Sequence, residues 1–289
     1  MPSLIDLRRR IRSVNNTQQI TKAMKMVSAA KLRRTQQAVV NARPYATLLG
    51  EMLGSVLSQA GEDSAAGEHP LLAKRKVKRI LLIFLAGDKG LCGAFNTNVT
   101  RASTKFLNDH SGTDVELELL GRKAVDYYSR RSYPIVGKWE LVFKNVEYSI
   151  AQEIAEKAMR RFSDGEVDEV YILYNRFLNV LTQEITLTPL LPILPSEGNG
   201  DGASVDYEYE QPPVQLFATL LPKHVVTQVY QAMLDSAAAE HAARMTAMDS
   251  ATRNAGEVLE KLTLHLNRVR QASITTEIIE IVSGAAAAE

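Results

Sequence analysis

A second cysteine is missing from this chain, and with it any internal disulfide or thiolate zinc cluster; Cys92 alone suits a reducing compartment. Aromatic residues make up only 6% of the 289. That scarcity, beside abundant Ala, Leu, Glu, Lys and Arg, points to long helices rather than sandwiches or barrels. No apolar run approaches the roughly 20 residues of a membrane-spanning helix, and Met1 to Ser13 lacks the apolar centre and cleavage site of a signal peptide. A soluble, unprocessed, intracellular protein is expected. Glycine is absent before Gly50 and acid nearly so: Arg8, Arg9, Arg10 and Arg12 open a set of ten basic side chains set against Asp6 in the first fifty residues. With a net charge of +1 overall, the remainder is acidic by difference. The basic segment therefore faces an acidic partner, a nucleic acid, its own acidic half or solvent.

What is present starts with helical periodicity. From Leu4 to about Leu57 the apolar positions Leu7, Ile11 and Val14, then Ile20, Met24 and Val27, recur at helical spacing, with Pro44 predicting a bend. Thr17, Gln18, Gln19, Thr21 and Lys22 interrupt the stripe. Residues 1–58 form the first domain, and Gly61 to Pro70, "GEDSAAGEHP", reads as an acidic linker.

The middle, 75–195, alternates strand-like and helix-like runs, which predicts a compact α/β domain. Strands are expected at Ile80 to Ala86, Val115 to Leu120, Val170 to Tyr174 and Glu184 to Leu187. Helices are expected from about Phe95 to Asp109 and on the pattern Ile150, Ile154, Ala158, Phe162. The first β-α-β unit should be parallel. Ser196 to Ser204, "SEGNGDGAS", is too polar and glycine-rich to pack.

The last domain, 208–289, is helical again. Pro212 and Pro213 suit a helix start and Pro222 should kink or restart it. One apolar stripe then continues through Leu259, Leu262, Leu266 and Val269 to Ile274, Ile278 and Ile281. At 1.5 Å per residue the terminal helices extend about 85 and about 90 Å. Two matched helices at opposite ends of a chain, around an inserted domain, predict an antiparallel coiled coil. Neither is a clean heptad, because Gln18 to Lys22 and Ala237 to Ala243 put polar or small residues where leucine should be. Such a pair needs further support.

The stretch Gly87 to Asn96, "GDKGLCGAFN", lies between a buried strand and a helix start, where α/β proteins hold phosphates. Its spacing fits neither GxxxxGK[ST] nor GxGxxG, so a tight turn with positive φ is the better reading. Cys92 has no histidine near it in sequence. His69, His110, His224, His241 and His265 are scattered without a metal-binding spacing, and Ser283 is not in a nucleophile elbow. Glu166, Asp168 and Glu169 read as a solvated turn. No enzyme signature, cofactor or metal site is expected. Two other classes stay open: a nucleotide-dependent enzyme built on the α/β domain, and a nucleic-acid-binding coiled coil, which the lack of interleaved aromatics weakens.

Three stretches, Ile20 to Leu32, "ITKAMKMVSAAKL", Gly87 to Asn96, and Arg270 to Ala285, "RQASITTEIIEIVSGA", together resemble the γ subunit of the F-type ATP synthase. The resemblance covers nearly the whole chain in the family's order. It implies a Rossmann-like α/β domain inserted between the helices of an antiparallel coiled coil. It also implies a non-catalytic rotary shaft, coupling ion-driven rotation of a ring of c subunits to ATP synthesis at the β subunits. The expected partners are the α3β3 hexamer, the ε subunit and the c ring; no nucleic acid is expected, and membrane association comes only through Fo. Carried over by position, Met24, Lys25, Arg270, Gln271, Thr275 and Glu277 would touch the α/β sleeve, although Met24 reads equally well as packing within the coiled coil. Ile278, Ile281 and Val282 would enter an apolar bearing, and Tyr207 and Tyr209 would stand near the c ring and ε. A lone cysteine rules out the chloroplast family members' redox switch. The cytoplasmic face of a bacterial plasma membrane is the implied location.

Overall fold

The computed structural model describes residues 4–60, 69–193 and 213–286. Two helices bracket the chain, α1 (Leu4–Ala60) and α5 (Pro213–Ala286). Between them run β1 (Arg79–Leu85), α2 (Phe95–Asp109), β2 (Asp114–Leu120), α3 (Arg122–Tyr128), β3 (Ile135–Trp139), α4 (Tyr148–Ser163), β4 (Glu169–Phe177) and β5 (Gln183–Leu191). The chain forms two compact units, Met1–Ala29 with Arg244–Glu289, and Ala30–Ala243. Both long helices contribute to each.

The larger unit is built on one five-stranded sheet in the order β3-β2-β1-β4-β5. β1 pairs in parallel with β2 and β4, β2 in parallel with β3, and β5 closes the edge antiparallel to β4. The expected parallel β-α-β start is therefore present. β1 is buried along nearly its whole length because helices cover both faces, which is why it reads as an unbroken apolar run. Alternation assigns the faces. Leu81, Ile83 and Leu85 meet Ala151, Ile154 and Ala158 of α4 and Val225, Val229 and Met233 of α5. Ile80, Leu82 and Phe84 meet Val99 and Phe106 of α2 and Ala124 and Tyr128 of α3.

Two elements went unanticipated. β3 is a half-buried edge strand broken by Gly137, and α3 has only seven residues, too short to show a period. Gly137 has a reason to be glycine: a Cβ there would lie 1.9 Å from Oε1 of Glu118. That buried carboxylate takes hydrogen bonds from Trp139 Nε1 at 2.6 Å and Lys157 Nζ at 2.9 Å.

Pro222 does not break α5. Leu221 and Val225 on either side are fully buried, and that packing outweighs the roughly 3 kcal/mol cost of an interior proline. α1 likewise continues through Pro44. The alanine run expected to weaken a leucine seam lies in the larger unit, where Ala237, Ala238, Ala239 and Ala242 are fully buried. Small side chains suit a helix enclosed on all sides. Most of the 61–70 linker, all of the 196–204 linker, and Tyr207 and Tyr209 lie outside the described residues.

Candidate partner interface

The smaller unit is an antiparallel helix pair. Lys25 pairs with Asp249 at 2.5 Å, Thr21 with Thr252 at 2.8 Å, and Gln18 Nε2 donates to the Thr252 carbonyl at 3.4 Å. The buried edge of α1 in this unit follows alternating steps of four and three: Leu7, Ile11, Val14, Gln18, Thr21, Lys25, Ser28. On α5 the matching edge is Met248, Thr252, Ala255, Leu259, Leu262, Leu266, Val269 and Ser273. Apolar residues hold the outer part of this seam and a polar layer replaces them around Thr21. Gly256 belongs to the layer, since a Cβ there would stand 3.1 Å from Gln18 Nε2. Lys25 pulls the Asp249 carboxyl below its usual pKa.

The expected stripe of Ile20, Met24 and Val27 is therefore not the seam. Ile20 and Val27 are 60% and 56% exposed, while their neighbours Thr21 and Ser28 are buried. One residue is about 100° of helix, so these aliphatics form a second stripe facing outward, with half-buried Met24 on its border. Apolarity in the sequence marked this outward stripe as if it were the inner one.

At the far end the register of Thr21 against Thr252 and Gln18 beside Gly256, extended outward, places Leu4 opposite Val269. Beyond Ser273, α5 has no described residue of α1 beside it. Arg270, Gln271, Thr275 and Glu277 are all exposed. Hydrogen bonds among them are local to α5: Thr275 Oγ1 donates to the Gln271 carbonyl at 2.9 Å and Ser273 Oγ to Glu277 at 3.2 Å. Ile278, Ile281 and Val282, with Ile274 and Ile279, are 49–71% exposed. The stripe expected to run on to Ile281 thus continues without a partner among the described residues. An exposed aliphatic cluster of this kind marks an interaction surface.

The glycine-rich loop is organised around its own acid. Asp88, 8% exposed, accepts backbone N–H bonds from Arg122 at 3.1 Å and from Leu141 and Phe143 at 3.0 Å each. A carboxylate of the chain thus lies at the start of α3, where an incoming anion would meet it. Asn96 closes the loop, accepting from Gly87 N at 2.9 Å and donating to the Lys89 carbonyl at 3.2 Å. The positive φ values fall at Leu91 and Gly93, not at Gly87 or Gly90. Gly87 leaves room for the Glu240 side chain, its notional Cβ lying 2.9 Å from that carboxyl carbon. Nothing in the glycine spacing revealed Asp88, a polar residue directly after a buried strand.

The three carboxylates expected in a solvated turn have structural partners. Glu166 accepts from Arg161 Nε at 2.7 Å, Asp168 accepts from the backbone of Lys78 and Arg79 at 2.8 and 2.9 Å, and Glu169, opening β4, accepts from Tyr171 Oη at 3.0 Å. Among the described residues, no helix is long and apolar enough to cross a membrane.

Residues 3–288 match the ATP synthase family. The chain is 56% identical to the ATP synthase gamma chain of Solibacter usitatus and 47% identical to that of Pelotomaculum thermopropionicum, in each case over 100% of both chains. Among solved structures, it resembles a chain of the central stalk and c-ring structure of Tetrahymena thermophila mitochondrial ATP synthase, with a TM-score of 0.62 and 25% identity over 80% of this chain and 99% of that one. A chain of the Euglena gracilis mitochondrial enzyme shares the fold, with a TM-score of 0.65 at 20% identity over 98% and 94%.

Proposed function

The chain belongs to the ATP synthase gamma-chain family, and we propose that it is the central rotary shaft of an F-type ATP synthase. The observation that carries this reading is the bare end of α5, where Ile274, Ile278, Ile279, Ile281 and Val282 are exposed, with no covering partner among the described residues. A sleeve of α and β subunits is the partner that such an end requires. Ile278, Ile281 and Val282 would turn in an apolar bearing. Arg270, Gln271, Thr275 and Glu277 would form a polar collar below them, and Met24, with Lys25 beside it in its seam pairing to Asp249, would present the first helix to the β subunits. Tyr207 and Tyr209 would belong to the foot, near the c ring and ε.

The action is mechanical. An asymmetric shaft is a ligand with a different contact energy for each β conformation, and that difference shifts their populations as it turns. Ion flow through the c ring supplies the rotation and ATP forms on β. Because the coupling is reciprocal, hydrolysis drives the shaft the other way. The chain contributes no catalytic residue and no cofactor. Its place is the cytoplasmic face of a bacterial plasma membrane, held there through Fo rather than by a span of its own.

The test uses inverted membrane vesicles stripped of this chain. Adding it back should restore ATP-driven ion pumping, and the purified complex should contain α, β and ε. Pumping that returns without the chain would reject the shaft role. Stoichiometric ATP hydrolysis by the chain alone would reject the non-catalytic one.

A further inference from the structure

A cavity of about 330 Å³ opens in the larger unit, lined by Arg43 and Thr47 of α1, Tyr174 and Arg176 of β4, Thr188 of β5, and His224, Gln231 and Asp235 of α5. Asp235 is 2% exposed, yet its Oδ1 has no hydrogen-bond donor. The paired cation, Arg43 Nη2, lies 3.5 Å from that oxygen and donates to the Phe177 carbonyl at 2.9 Å. Gln231 Oε1, on the same helix, also lacks a donor. Arg176 is the second cation facing Asp235, and the remaining titratable groups of the wall carry no charge near neutrality. Burial lowers the pKa of His224 and raises that of Tyr174. The wall therefore holds two guanidinium groups, one carboxylate whose Oδ1 lacks a donor, and one amide oxygen, Gln231 Oε1, that lacks one too.

That combination is selective. An anion is drawn by Arg43 and Arg176, but a fully ionised one would turn its lone pairs toward Asp235, and an unpaired buried acceptor keeps its desolvation cost. The complement is an anion that still carries a hydrogen. We propose that this cavity binds hydrogen phosphate, its charged oxygens on Arg43 and Arg176 and its P–OH donating to Asp235. Sulfate has the same size and charge but no hydrogen to give. A phosphate monoester, whose second ionisation lies near pH 6, has lost its hydrogen at about pH 8, where orthophosphate keeps one. The remaining volume has room for water, which takes about 30 Å³ a molecule.

Asp235 adds a pH signature. Burial, opposed by Arg43 and Arg176, pushes its pKa up to about 6. At about pH 8 it is an acceptor. Near pH 5 Asp235 carries a proton and becomes a donor, and orthophosphate has itself taken up a second hydrogen and lost a charge that sulfate keeps, so both changes remove the preference over sulfate.

Equilibrium dialysis of the full chain against ³²P-orthophosphate in chloride buffer tests this. At about pH 8 we expect one saturable site per chain, with sulfate and glycerol phosphate competing at least about tenfold more weakly than unlabelled phosphate. Near pH 5 the preference over sulfate should fall to about threefold or less. Asp235→Asn should keep anion binding and lose the preference at the higher pH, and Arg43→Gln with Arg176→Gln should abolish binding. The proposal is overturned by no saturable uptake, by sulfate or the monoester competing as well as phosphate at about pH 8, or by Asp235→Asn keeping full discrimination.

Discussion

Thr21 Oγ1 lies 2.8 Å from Thr252 Oγ1 in the seam of the helix pair, a place where an uninterrupted heptad would put leucine. The two hydroxyls also bond their own helices, Thr21 to the Gln18 carbonyl at 3.0 Å and Thr252 to that of Met248 at 2.7 Å. Satisfied in this way, they cost little, and with Gln18 and Lys25 they distinguish one alignment of the helices from its neighbours.

Replacing both threonines by valine should therefore leave stability unchanged or raise it by about 1 kcal/mol, since removing both partners of a hydrogen bond leaves nothing unpaired. Alignment should suffer. Cysteines placed at positions 28 and 245, outside the layer in the same register, should be joined readily by a short thiol cross-linker beside the native layer and less completely beside the valines. An equal yield on both backgrounds would assign alignment to Leu259, Leu262 and Leu266 alone.

This layer also shows where the sequence stopped being legible. The strands β1, β2, β4 and β5 and the helices α2 and α4 announced themselves, because a buried strand must be apolar and a half-buried helix periodic. The seam of α1 did not. Its true inner positions, Thr21 and Ser28, are polar, and its outward positions, Ile20 and Val27, are apolar, the reverse of the pattern of an isolated protein. A residue's hydrophobicity reports whether it is buried in the assembly, and a single chain does not show whose surface buries it. The tip of α5 has the same cause: Ile274 to Val282 read as more coiled coil and proved to be uncovered. Asp88 was hidden differently, because its three donors come from the starts and turns of other elements.

Asp88→Ala should destabilise the larger unit by about 3 kcal/mol or more. Hydrogen bonds to a charged acceptor contribute about 1.5–3 kcal/mol each, and the buried Phe143 N–H would be left unpaired. Asp88→Asn keeps an acceptor and should cost less. Urea unfolding gives the energies, and amide exchange at Leu141 and Phe143 should rise first in the alanine variant. Unchanged exchange there would show that water replaces the carboxylate without cost.

Asp235 makes a prediction in the opposite direction. Its folded pKa, raised to about 6 by burial, stands above the unfolded value, so the stabilisation of its protonated form is present below about pH 4 and lost as pH rises through about 6. Two units correspond to about 3 kcal/mol as an upper figure. Asp235→Asn should accordingly stabilise the chain by up to that amount at pH 8 and hardly at all at pH 4. Melting temperatures across this range provide the measurement, and a variant less stable at pH 8 would mean that the Arg43 pairing outweighs the burial.

The polar collar of α5 is open to a test that separates stability from coupling. Gln271 and Glu277 are exposed, and each takes a hydrogen bond from a neighbour on α5 itself. Leucine at both positions keeps helix propensity, so the unfolding of the chain should move by no more than about 0.5 kcal/mol. If these residues hold the sleeve, each charge-assisted bond contributes about 1.5–3 kcal/mol when desolvated and must break and re-form as the shaft turns. The double variant should then assemble into the complex yet turn over more slowly and pump fewer ions per ATP. Unchanged pumping and hydrolysis would reduce the collar to surface filler. Loss of the chain from the complex would make it an assembly contact, required before any rotation begins.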